Sequence, residues 1–279
     1  MGKVIMSGIV PNLSTPLVVD SVLNNNSWET IRRVSDSGKG SNYWSVGDRK
    51  EVVLNGTVGH LTLSNYTTYA FIIGFNHNAE LEGNNRIHFQ LAKTALSGGV
   101  DVVLCDSRFN ETMSSISYFN MNSSSTNSGG WASSQMRANI CGTDLTSYSG
   151  TIIGIIPDAL RAMLKSVVKY TNNIGNSTVE SAVTATTDYF FLLAEKEVYG
   201  SITYGNIYEG NKQTQYAYYS AGNSTIKYKH DSTSTAISWW LRTPRANNSS
   251  AFVRPNSANG LAGSSDARYS LGFSPAFCV

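Results

Sequence analysis

Residues 239–279 read WWLRTPRANNSSAFVRPNSANGLAGSSDARYSLGFSPAFCV, and this stretch decides how the chain is organised. Its ends are core material, with Trp239 and Trp240 on one side and Phe273, Phe277 and Val279 on the other. Its middle is Asn, Ser, Ala, Gly and Arg, the chemistry of turns and irregular loops. If the first segment is a strand, Trp239 and Trp240 point to opposite faces, one into the core and one toward a second layer. Arg242, two positions after Trp240, shares its face and can stack on the indole or pair with a buried carboxylate. Trp239, Trp240, Arg242, Pro244, Gly272, Pro275 and Phe277 are therefore assigned to a scaffold, and the polar residues between them to whatever the scaffold displays.

Working outward, 279 residues with 41% apolar content are enough for a sizeable core. Lys plus Arg exceeds Asp plus Glu by only two, 21 against 19, and no basic stripe appears, so nucleic acid is not an expected partner. No apolar run approaches the roughly 20 residues of a membrane span, and MGKVIMSGIVP lacks the apolar centre of a signal peptide. Synthesis in a reducing cytosol is expected, with no membrane insertion. Three widely spaced cysteines, Cys105, Cys141 and Cys278, fit neither a disulfide framework nor a zinc site and are read as buried thiols. Charged residues make up 14% of the chain, against roughly 25% in ordinary soluble domains. A surface of neutral polar groups and tyrosines suits adhesive proteins, because Tyr gives rigid contact area and Ser, Asn and Gly adapt to many partners.

Local signals give an α+β pattern of short antiparallel strands, two or three helices and long loops. Residues 1–24, with Pro11, Pro16 and an Asn-rich end, read as an extended lead-in before one domain over 25–279. NNSWETIRRVSDSGK predicts a helix with Asn26 as cap, Glu29 three residues on and Gly38 as stop. Asn55-Gly56 between β-rich runs predicts a hairpin turn. FIIGF and DVVLC predict buried strands, and NRIHFQLAK a strand or short amphipathic segment. Residues 114–130 carry turn chemistry throughout and predict a surface loop, followed by a helix over WASSQMRANI. PDALRAMLKSVVKYT is the clearest helical pattern, with Pro157 in the first turn and Lys169 in the last. A further helix is expected in the Tyr-rich NKQTQYAYYSAG.

Catalytic signatures are sparse. His60, His77, His88 and His230 stand apart, and no nucleophile elbow, phosphate loop or dinucleotide fingerprint is present. The acidic pairs Glu80/Glu82 and Glu195/Glu197 alternate so that each pair would share one strand face, which makes a calcium or sugar site conceivable beside the plainer reading of structural carboxylates. No catalytic residue, metal ligand or cofactor is assigned.

The order of motifs SGKGSNYWSVGDRKEVVLNGTVG, FIIGFNHN, RIHFQLAKTA, TATTDYFFLLAEKEVYG, QYAYYSAGNSTIKYKH, WWLRTP and YSLGFSPAFCV resembles bacterial and phage proteins whose C-terminal part starts W-W-x-R-[ST]-P and ends G-x-x-P-A-F. That resemblance implies a C-type-lectin-like fold of the formylglycine-generating-enzyme type, carried by tail-associated proteins of phages and prophages. Some such proteins are rewritten by diversity-generating retroelements, which mutate template adenines. Varied Asn codons cannot yield Lys, Glu, Gln, Met or Trp, and residues 245–271 contain none of the five. Arg254 stands where calcium-dependent lectins carry a carboxylate or amide, and Cys278 does not resemble a member of a catalytic thiol pair, so neither calcium-bound sugar nor enzymatic turnover is implied. The expected role is a receptor-binding or adhesive module on a virion or bacterial surface, engaging a host-cell protein or glycan and other tail proteins. A non-diversified structural tail or surface protein is the alternative, with a lectin-fold enzyme behind it. The expected contact residues are Arg245, Asn247, Asn248, Ser249, Phe252, Arg254, Asn256, Asn259, Leu261, Ser264, Asp266, Arg268 and Tyr269. Arg254, Arg268, Tyr269 and Phe252 are the expected anchors, since hot spots favour aromatic residues and Arg.

Overall fold

Strand β1 (Arg49–Val58) turns Val52, Leu54 and Val58 inward by simple alternation, and β2 (Leu61–Phe75) runs back antiparallel beside it. The expected hairpin is there, but its turn lies later than Asn55-Gly56. The chain reverses at Gly59-His60, where Gly59 takes φ +56°, while Gly56 at φ +126° sits in a bulge that shifts the register. In the computed structural model, which describes residues 17–109 and 115–279, β2 then pairs with β3 (Ile87–Lys93). A late strand, β12 (Ala276–Cys278), lies between β3 and β7 (Phe190–Phe191) and completes a five-stranded sheet in the order β1-β2-β3-β12-β7. Every residue of β3 and β12 is buried, so the sheet centre is covered on both faces.

Helix α1 (Trp28–Asp36) covers part of that sheet. It forms over the predicted residues, with Ser27 rather than Asn26 accepting the capping bond from Thr30 N, because the Asn26 amide is turned to Asp20 and Val22 carbonyls. Its buried stripe is Trp28, Ile31 and Val34, each worth about 2 kcal/mol against exposure. Trp28 meets Phe89 and Phe277 edge to face at 5.6 and 6.1 Å. The remaining helices are single turns or little more: α2 (Gly40–Tyr43), α3 (Ala79–Glu82), α4 (Ile152–Ile155), α5 (Asp158–Arg161), α6 (Glu195–Tyr199) and α7 (Ala217–Ser220).

The strongest helical pattern is the one the structure overturns most. Only Asp158–Arg161 is helical, and Val167–Asn172 is strand β5, paired with β6 (Val183–Asp188). The β-branched Val167, Val168 and Thr171 favour the strand, and Lys169 points into the core instead of ending a helix. WASSQMRANI forms only a π-type turn, Met136–Cys141, and the Tyr-rich segment only α7. Residues 115–130 are irregular as expected, and Ile116, Ser124, Ser125 and Ser128 are exposed, yet Phe119, Asn120, Met121 and Asn127 are fully buried, so the loop lies at the surface but is anchored in the core; residue 114 lies outside the described residues.

Two smaller sheets finish the architecture. Strand β4 (Val102–Val103) runs parallel to β8 (Lys227–Lys229), which pairs antiparallel with β9 (Ser232–Ile237). Strands β10 (Ala251–Pro255) and β11 (Ala262–Asp266) form a hairpin. The fold is thus mixed α+β, with small, mainly antiparallel sheets and short helices. One continuous core runs from Leu23 to Val279. Of the expected lead-in, residues 1–16, with Pro11, Pro16 and the segment tested for signal-peptide character, lie outside the described residues; Leu23 is in the core, and Asp20 O accepts the Trp44 indole N–H at 3.1 Å.

Candidate functional site

The expected contact residues fall on the β10–β11 hairpin and the loops that frame it. All but Phe252 keep part of their surface in solvent, and Leu261 is 64% exposed. Phe252 is fully buried and is corrected to scaffold: it lies between Pro244, its bridge partner, and Ser265 of β11, and Val253, on the opposite face of the strand, is fully buried as well. Several of the polar residues are spent on shaping the loops. Asn248 Oδ1 accepts from Ser250 N at 2.8 Å, Asn256 Oδ1 from Ala258 N at 2.9 Å, and Asn259 Oδ1 from Leu261 N at 3.0 Å, which is how Asn holds tight turns. Asn247 and Ser249 project from the 246–250 turn as exposed side chains.

The arginines are arranged differently. Arg245 Nη1 donates to Ser264 Oγ at 3.0 Å with its guanidinium 5.2 Å from the Tyr204 ring centre. Arg254 Nε donates to Ser265 Oγ at 3.0 Å. Arg268 is tied to Asp266 by two bonds of 3.0 and 3.1 Å, and Ser125 Oγ donates to the same carboxylate at 2.5 Å. Tyr269 is half-buried against the core. The loop is pinned from below by Asn127, whose Nδ2 reaches the carbonyls of Arg245, Asn248 and Ala251 at 3.0, 2.8 and 2.9 Å. No pattern in the sequence marked Asn127, because its role depends on contacts more than a hundred residues away.

Beneath the hairpin, the W-W-x-R-T-P stretch is anchored by hydrogen bonds. Trp239 and Trp240 are both fully buried, donating to Thr225 O and Phe119 O at 2.9 Å. Arg242, also fully buried, takes the second of its two expected roles: it grips Glu197 with two bonds of 2.5 and 2.8 Å and adds Thr171 Oγ1 and Leu192 O. Lys169 Nζ bonds Glu82 at 2.6 Å, Glu197 at 3.0 Å and Tyr216 OH at 2.8 Å. His77 stacks on Tyr216 at 3.6 Å, and His88 Nδ1 lies 3.0 Å from the Tyr216 hydroxyl and 3.3 Å from Cys278 Sγ. Two histidines that stand apart in the sequence thus meet at one tyrosine.

Charge in this interior cluster is set by burial and neighbours. Burial pushes Glu82 up to about 7 despite Lys169. Burial would also raise Glu197, but Arg242 and Lys169 outweigh it and hold that carboxylate well below its usual range. Burial, helped by Lys169, drives His77 down to about 3, so it is neutral. Ligand atoms of His77, Glu82 and Glu197 lie within 4.8 Å of one another, but the Lys169 ammonium already bridges the two carboxylates. It serves as the cation of the cluster, and a metal would have to displace it.

The acidic pairs do not share strand faces. Glu80 is exposed while Glu82, beside it on α3, is buried, and Glu195 and Glu197 lie on α6 in separate networks. Glu195 accepts backbone N–H groups of Thr203, Tyr204 and Gly205, which holds the chain beneath Arg245. Cys105, Cys141 and Cys278 are buried free thiols.

A comparison with protein-family profiles matches residues 102–279 to a domain of unknown function, DUF6273. The chain belongs to that family. The DUF6273 match takes in the hairpin, Lys169, Glu197 and Arg242, but β12 within it pairs with β3 outside it, so the matched part is built into the same sheet as the preceding residues. No curated protein and no solved structure matches the chain.

Proposed function

We propose that this DUF6273 protein is a recognition module with a C-type-lectin-like scaffold, displaying residues 245–269 to a host-cell receptor from a phage or prophage tail or a bacterial surface. The observation that carries the reading is the contrast along one stretch of chain. The flanks, Trp239–Pro244 and Ser270–Val279, are buried throughout, whereas the expected contact residues between them, Phe252 aside, reach solvent. A rigid frame under a polar, low-charge display is what recognition by exchangeable side chains requires. Arg254, Arg268 and Tyr269 remain its anchors, and Phe252 is not among them.

Diversification by a retroelement is part of the proposal, because the solvent-facing side chains in 245–271 sit on a hairpin and loops held by Asn127 and by backbone bonds between Val253 and the buried Leu241 and Thr243. The test is adhesion of the purified chain to bacterial host cells. Arg254→Ala and Tyr269→Ala should weaken adhesion while leaving the melting temperature in place. Equal adhesion by both variants would remove the hairpin from the recognition surface.

A further inference from the structure

The hairpin has an open edge. Val253 N donates to Thr243 O at 2.9 Å and Val253 O accepts from Leu241 N at 3.0 Å, so the backbone groups of Val253 face away from β11. The hairpin ladder therefore runs through the pairs Phe252–Ser265 and Arg254–Gly263, continued by Asn256 N to Leu261 O and Ala267 N to Ser250 O, both 2.8 Å. By the same alternation, the N–H and C=O groups of Ala262 and Ser264, and the N–H of Asp266, point out of the sheet. Among the described residues none of these five groups has a hydrogen-bond partner, whereas Asp266 O is taken by Tyr269 N at 3.0 Å. Natural sheet edges are blunted by Lys, Pro or a bulge. Ala262-Gly263-Ser264-Ser265 has none of these, and its register with β10 is unbroken.

Charge beside this edge is one-sided. Arg245 reaches Ser264 on one face of the hairpin and Arg254 reaches Ser265 on the other, and among the described residues neither has a carboxylate partner. Asp266, the one acid in the hairpin, is already paired with Arg268. We propose that the outer edge of β11 receives an extended acidic segment of a protein partner as an added β-strand, its backbone bonding to Ala262 and Ser264 and its carboxylates alternating between Arg245 and Arg254. This rests on the recognition role proposed for the hairpin and narrows the receptor from protein or glycan to protein. Main-chain bonding supplies attraction that tolerates change in neighbouring side chains, and the two arginines supply preference.

The probe is an eight-residue Glu–Val peptide of the repeat Glu-Glu-Val-Val, which puts carboxylates on both faces of an added strand, added to the full chain and followed by fluorescence anisotropy and backbone amide exchange. It should bind and slow exchange at Ala262 and Ser264. Binding should drop about tenfold or more when alternate peptide amides are N-methylated or when Ser264→Pro removes the outward N–H, which the β10–β11 ladder does not use. A Lys–Val peptide should not bind. Should Ser264→Pro melt early, the double reversal Arg245→Glu with Arg254→Glu should invert the peptide preference. No binding of the Glu–Val peptide, or binding indifferent to N-methylation, overturns strand addition. Cell adhesion weakened by Arg254→Ala but untouched by Ser264→Pro overturns it too and leaves the recognition surface standing, whereas adhesion untouched by both overturns the two together.

Discussion

Replacing Glu82 by Gln sets two intuitions about the interior cluster against each other. An ion-pair view says that Gln costs most at high pH, where Lys169 loses a charged partner at 2.6 Å. The pKa of Glu82, raised to about 7 by burial, says the reverse. Between about 4.5, where an unfolded Glu ionises, and 7, the folded protein holds a proton on Glu82 that the unfolded chain has released. Stability contributed by this group is then fully present below the unfolded value and declines as pH rises to 7. A separation of about 2.5 pK units corresponds to about 3 kcal/mol, the upper end of the effect for a carboxyl that shares Lys169 with Glu197. Gln mimics the protonated acid and does not titrate. Urea unfolding of both proteins from pH 4.5 to 8.5 should show the Gln variant gaining on the parent by up to about 3 kcal/mol and levelling off above 7. Glu209, also raised to about 7 by burial, titrates in the same window in both proteins and cancels in the difference. A variant that instead loses ground as pH rises would refute the reasoning and show that attraction to Lys169 outweighs the burial of Glu82.

Three other outcomes are expected. Arg242→Ala should cost about 3–5 kcal/mol in denaturant unfolding, since it strips Glu197 of two bonds inside the core and leaves Lys169 as its remaining charged partner. Trp240→Ala should cost about 3–5 kcal/mol by the cavity it leaves, with the Phe119 carbonyl stranded as well. Asn127→Ala should lower stability by about 1–3 kcal/mol and speed amide exchange across residues 246–250, because three carbonyls lose one shared donor.

What the sequence made legible was local. The α1 stripe of Trp28, Ile31 and Val34, the apolar FIIGF run and the buried DVVL strand follow from period and propensity alone, and the structure places them accordingly. The scaffold role of Arg242 was legible because a guanidinium between tryptophans and a proline must either stack on an indole or pair with a buried acid. Its partner was not: Glu82, Lys169, Glu197 and Arg242 come from four distant segments, and no spacing rule links them. Lys169 shows why the helix over 157–171 failed. A lysine beside valines looks like a helix end when viewed locally, but two carboxylates elsewhere in the chain draw it inward and the β-branched residues around it settle as a strand. Phe252 failed for a related reason, since nothing in an Asn- and Ser-rich loop announces that one aromatic ring belongs to the core.

The place of β12 has a consequence for how the molecule is made. This strand fills the gap between β3 and β7, and Ser274 Oγ donates to Leu91 O across 183 residues of chain. During synthesis the β1–β2–β3 meander leaves the ribosome well before β12 and waits with one flank of β3 unfilled until that strand, more than 180 residues later, arrives. Formation of the sheet is therefore a late, long-range event, slow by its topology and exposed meanwhile to pairing with other nascent chains. Any rewriting of residues 245–271 happens just upstream of the strand that closes the sheet, so an altered display is translated before the protein can finish folding around it.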